Sequence, residues 1–125
     1  MILPQIRAFD EQVLTMIDWT RVTELRNEIG IDDFDEVVEI FLEEVEEELT
    51  KLDTPQDAAS LEAILHLLKG CALNLGFREF SALCQKGETA AASGAADSID
   101  LTAVSASYHA SKSAFMDGFA KLDAA

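Results

Sequence analysis

The sequence is short of the residues that break helices, with two prolines and six glycines in 125 positions. Folds built from many short strands need more turn chemistry than that. Alanine, leucine and glutamate are abundant instead, so the composition predicts an all-α protein. Cysteine is scarce too: Cys71 and Cys84 form neither a C-x-x-C motif nor a dense framework. That excludes a disulfide-stapled scaffold and makes a reduced, cytoplasmic setting the expectation, with both thiols packed as small hydrophobes. Basic residues number nine against 24 acidic ones, a formal net charge of −15. This balance argues against nucleic acid and anionic membrane surfaces, which need cationic patches. Protein partners are expected, a basic one among them. No apolar run approaches the roughly 18 residues of a membrane span. Met1-Ile2-Leu3-Pro4-Gln5-Ile6-Arg7 also lacks the basic-then-apolar order of a signal peptide.

The length suits one domain with a real core. Residues 1–14 read as an arm or short helix, with Ile6, Phe9, Val13 and Leu14 at helical spacing. The domain proper is expected over 15–125. Asp18 reads as the N-cap of a helix from Trp19 to Ile29, stopped by Gly30. The longest helix is predicted from Asp32 to Leu52, with Val38, Phe41, Leu42, Val45, Leu49 and Leu52 as its apolar seam. The many acids around that seam read as a solvated face, since no histidine joins them in a metal-binding pattern. Thr54-Pro55-Gln56-Asp57 is a turn, and Asp57 or Ser60 should cap a helix running to Leu75. Asn74 and Gly76 supply its ending. A further helix, Arg78 to Ala92, buries Phe80, Leu83, Cys84 and Gly87. Residues 93–98 form a flexible loop, and the last helix spans Ile99 to Leu122. Single apolar stripes and short connections predict an antiparallel up-down four-helix bundle, with the helix from Trp19 added across one end.

The stretch from Ala63 to Gly76 holds the chemistry. Leu61, Ile64, Leu65, Leu68, Ala72 and Leu75 share one helical face, and His66 falls nearly opposite it. Beside His66 lie Lys69 and Gly70, three and four positions on. The rest of this outward face is Ala59, Glu62, Ala63 and Leu73, a low-relief strip suited to docking by another protein. Gly70 costs roughly 1 kcal/mol of helix propensity against alanine, and the missing side chain would let a partner approach the imidazole. Histidine, with an ordinary pKa of about 6.5, is largely neutral and nucleophilic near pH 7. It can carry a phosphoryl group on one ring nitrogen, with Lys69 to neutralise the anion.

The run His66, Lys69, Gly70, Asn74 and Gly76 matches H-x-x-K-G-x-x-x-x-x-G, with Asn two places before the last Gly. In this the chain resembles the histidine-containing phosphotransfer domains of two-component phosphorelays, over about residues 15 to 122. The resemblance implies a four-helix bundle, His66 as phosphoacceptor, Lys69 stabilising the phosphoryl group and Gly70 giving access. The family often places a polar side chain, frequently glutamine, on the next helix to support the histidine. Glu88 falls near that place, an acid instead of an amide. Cys71 stands where serine is frequent and Leu67 where threonine is frequent. The implied partners are response-regulator receiver domains and a hybrid sensor histidine kinase. No cofactor is expected, the Mg2+ residing in the receiver, and the protein is expected to be a monomer.

One rival reading uses the same face without chemistry: a module that docks or sequesters a receiver. Docking alone has no need of the histidine. A kinase in its own right is disfavoured because the chain has no glycine-rich nucleotide site. A carrier, not an enzyme, is the expectation. His109, beside Tyr108 on the last helix, has no spaced partner and reads as a boundary residue.

Overall fold

The computed structural model describes residues 16–124, with side chains as far as residue 120. The predicted arm over residues 1–14 lies outside that range. Five α-helices follow in order: α1 Trp19–Ile29, α2 Ile31–Lys51, α3 Ala58–Leu75, α4 Arg78–Ala92 and α5 Leu101–Ala124. Among the described residues no strand forms, and a single isolated bridge joins Ile17 to Phe77. The protein is all-helical, as composition predicts.

The helix ends show where local chemistry decided the boundaries. Asp18 accepts from the Arg21 N–H at 3.2 Å and so caps α1. Of the two candidate caps for α3, Asp57 does the work, accepting from the Ser60 N–H at 2.7 Å. That bond holds the Asp57 carboxyl below its usual range. Three expectations need correction. The longest helix is α5, with 24 residues, not the acidic α2, with 21. Asp100 starts α5 by accepting from the Ala103 N–H at 3.0 Å, and no proline or glycine follows Gly118 to stop it. Ile99, expected inside that helix, is extended at φ −77° and ψ 126° and packs against the core. The segment before it, expected to be a flexible loop, contains a 3-10 turn at Ala96–Ser98.

Gly76 ends α3 in the left-handed conformation, φ 78°, which a side chain resists. A Cβ there would also lie 2.7 Å from the Asp18 carbonyl oxygen. Asp18 N–H donates to the Gly76 carbonyl at 2.7 Å. The start of α1 is thus fastened to the α3–α4 turn, and only glycine satisfies both demands.

The predicted stripes meet in one core. Leu65, Leu68, Ala72, Phe77, Phe80, Cys84, Tyr108 and Phe115 have essentially no exposure. Trp19 stacks on Phe115 at 5.9 Å, bringing α1 against the C-terminal half of α5. The Tyr108 hydroxyl donates to Glu46 at 2.6 Å and Lys112 donates to the same oxygen at 2.7 Å, tying α5 to α2. These two donors, Lys112 foremost, hold the Glu46 carboxyl below its usual range.

By length and composition α3 could cross a membrane, with Glu62 and Lys69 as its charged residues. Its apolar side is consumed by the core, however: Leu61, Ile64, Leu65, Leu68, Ala72 and Leu75 are all buried. Glu62, His66 and Lys69 mark its other side. Against α3 lies α4, and Gly87 sets how closely. A Cβ on Gly87 would stand 2.9 Å from Leu65 Cδ1. The missing side chain lets α4 settle onto α3, so the next residue, Glu88, faces His66.

Candidate functional site

His66 projects from α3 with 68% of its side chain exposed, as its position opposite the apolar stripe predicts. It is not isolated. Nδ1 lies 2.7 Å from Glu88 Oε2, and the other Glu88 oxygen lies 2.8 Å from Lys69 Nζ. Lys69 also donates to Gln85 Oε1 at 2.9 Å, and Gln85 Nε2 donates to Thr89 Oγ1 at 3.0 Å. A continuous chain of polar contacts therefore runs Thr89, Gln85, Lys69, Glu88, His66, crossing between α4 and α3 three times.

The electrostatics follow from this chain. Lys69 first, and His66 after it, hold the Glu88 carboxyl below its ordinary range, although burial opposes them. Glu88 is thus ionised at neutral pH and can only accept hydrogen bonds. Nδ1 must carry the hydrogen between them. In the neutral ring the lone pair then sits on Nε2, the outward nitrogen. The arrangement presents one nucleophilic nitrogen in a fixed orientation with a cation one helical turn away.

Lys69 lies lower than expected. Its side chain is 21% exposed and engaged by two α4 residues, where the sequence suggested a lysine open beside the imidazole. Gly70 is exposed, and a Cβ built on it would meet nothing within 4 Å. Nothing within the described chain explains its missing side chain. Ala59 and Ala63 are exposed, Glu62 is half-buried, and Leu73 is 56% exposed. These residues lie along one side of α3, and no hydrogen bond or ion pair joins Glu62 to the polar chain. Leu67, at 48% exposure, adds a second large apolar side chain to this surface. Sequence reasoning missed Gln85; its place one turn before Glu88 on α4 was the available signal.

The other titratable candidates stand outside this chain of polar contacts. Among the described residues no group of three or more His, Cys, Asp and Glu could hold a metal ion. Both cysteines are free thiols. Burial pushes the Cys84 thiol up to about 12, and burial followed by Glu44 and Glu48 raises Cys71 as well. His109 is exposed and meets the Tyr108 ring edge-on at 5.2 Å.

The protein is thus all-helical among its described residues and presents an outward histidine held from the neighbouring helix. The sequence model of the Hpt domain matches residues 36–117, more than half of the chain and all the residues of the polar chain. The protein belongs to that family. No curated protein and no solved structure gives a significant match. Hpt domains serve histidine phosphotransfer in phosphorelays, working with receiver domains and histidine kinases. They are phosphocarrier modules and not enzymes in the usual sense.

Proposed function

We propose that this protein accepts a phosphoryl group on His66 from the aspartyl phosphate of one receiver domain and passes it to another. The observation that carries this reading is the Glu88 contact at Nδ1, 2.7 Å, which leaves the exposed Nε2 as the nucleophile. The Nε2 lone pair attacks phosphorus, an N–P bond forms, and the bond from phosphorus to the aspartyl oxygen breaks. The aspartate leaves as a carboxylate. The ring is then a phosphorylated imidazolium whose Nδ1–H faces Glu88, and the carboxylate stabilises that cation. Transfer onward is the same step reversed on a second receiver. Lys69 supplies positive charge for the phosphoryl oxygens, and Gly70 leaves room for the partner's active site. Ala59, Glu62, Ala63, Leu73 and the edge at Glu88 form the docking surface.

We read α2 to α5 as an antiparallel up-down bundle with α1 across one end, in a domain spanning 15–125. The protein acts as a cytoplasmic monomer. Mg2+ comes with the receiver, and the upstream donor belongs to a hybrid sensor histidine kinase.

The test is phosphoryl transfer from receiver domains charged with acetyl phosphate. Wild type should gain an acid-labile, alkali-stable label and His66→Gln should gain none. Label that survives in His66→Gln would refute the assignment. A wild type that binds the charged receiver without taking label would instead support the sequestering reading.

A further inference from the structure

Beside the polar chain, the seam between α3 and α4 opens into a groove of about 320 Å³ lined by Glu62, Gln85, Glu88, Thr89, Ala92 and Ser93. Its formal charges are both negative. Glu88 is committed to His66 and Lys69, whereas Glu62 has no hydrogen bond or ion pair among the described residues. Thr89 Oγ1 accepts from Gln85 and keeps a lone pair. Ser93 Oγ donates to the Ala90 carbonyl at 3.2 Å, so its lone pairs also remain. The groove thus offers acceptors, a free carboxylate among them, beside a Thr89 hydroxyl and a second Gln85 N–H that can donate; its one unpaired charge is negative, so a cationic occupant with N–H donors fits it best.

Position identifies where that charge comes from. Glu62 lies one turn before His66 on α3, so any protein that brings an aspartyl phosphate to Nε2 overhangs the groove. We infer that the groove receives a lysine or arginine side chain of the docking receiver, with Glu62 as its ion-pair partner and a determinant of which receivers are served. This rests on the phosphocarrier reading above. A chain of net charge −15 repels most acidic proteins in general. Glu62 turns that general preference into a contact at one position, which fixes register more than affinity.

The test separates docking from chemistry in the full chain. Phosphoramidate, a donor too small to need a docking surface, should still label His66 in Glu62→Gln and Glu62→Lys, releasing ammonia and showing that the phosphoacceptor is intact in each. Isolated receiver domains charged with acetyl phosphate are then screened, and the fastest donor is kept. With it, KM should rise about threefold in Glu62→Gln and at least about tenfold in Glu62→Lys, with kcat little changed. Reversing one basic residue of that receiver to glutamate should restore Glu62→Lys. An unchanged KM in both variants, with His66 labelled normally, would overturn the groove assignment and leave the carrier function standing. Absence of label on wild-type His66 from both donors would overturn the two together.

Discussion

Substituting Gly70 by alanine should make this protein more stable and less able to work. A glycine inside a helix is about 0.8–1.0 kcal/mol less favourable than alanine. Whether that gain is realised depends on space, and a Cβ at Gly70 meets nothing within 4 Å. The full gain is therefore expected, and for a chain of this size it corresponds to a rise of about 3–5 °C in Tm. Function should move the other way. The new methyl group stands one turn from His66, on the proposed docking surface. A displacement of about 1 Å at the reacting atoms can slow transfer up to about a hundredfold. Thermal unfolding followed by circular dichroism gives the first quantity, and label transfer from a charged receiver gives the second. Phosphoramidate labelling of His66 should stay at the wild-type rate, since that donor passes the methyl group freely. A lower Tm would show that the space around Gly70 has been misjudged. A higher Tm with undiminished receiver transfer would remove access as the reason for this glycine.

Three other outcomes follow from the packing and the charges. Gly118→Ala should lower Tm, because a Cβ there would overlap the Trp19 indole; overpacking of about 1–3 kcal/mol outweighs the helix-propensity gain, and the quenching of Trp19 by its neighbours should change with it. Glu88→Gln should lose the pH dependence that Glu88 confers: its folded pKa lies below the ordinary 4.5, so its stabilisation is complete above 4.5 and fades as pH falls below. The Tm difference between wild type and Glu88→Gln should therefore shrink on acidification, and a difference that grows would reverse the sign argued here. Iodoacetamide at pH 8 should leave Cys84 unmodified in the folded protein, given a thiol pushed up to about 12 and no exposure, and modify it once guanidinium unfolds the chain, as read by mass spectrometry.

The sequence was most informative where one helix explains itself. The stripe from Leu61 to Leu75, the outward place of His66 and the caps at Asp18 and Asp57 all follow from periodicity and side-chain chemistry within a few residues. The start of α5 departs from expectation because Ile99 is apolar at helical spacing, yet the Asp100 carboxylate bonds the Ala103 N–H and the helix begins two residues later, at Leu101. Lys69 was misplaced for a different reason. Spacing puts it beside His66, but its long side chain reaches across to Glu88 and Gln85. Which residues of α4 stand opposite α3 depends on helix register, and periodicity carries no register between helices. Glu88 came into view through a family resemblance. Gln85 had neither route.

The approach at Gly87 has a consequence for what can be cut from this protein and still work. A peptide spanning α3 alone would keep the whole motif from His66 to Gly76 and lose the carboxylate that fixes the ring proton on Nδ1. Its imidazole would exchange tautomers freely and turn about its own bonds, a histidine like any in solution. A slip of one turn between α3 and α4 would leave every residue in place along the chain and set the Gln85 amide where the Glu88 carboxylate stands. The unit that orients His66 is therefore the seam between two helices, and what transmits damage to it is any change that alters how deeply one helix lies in the other.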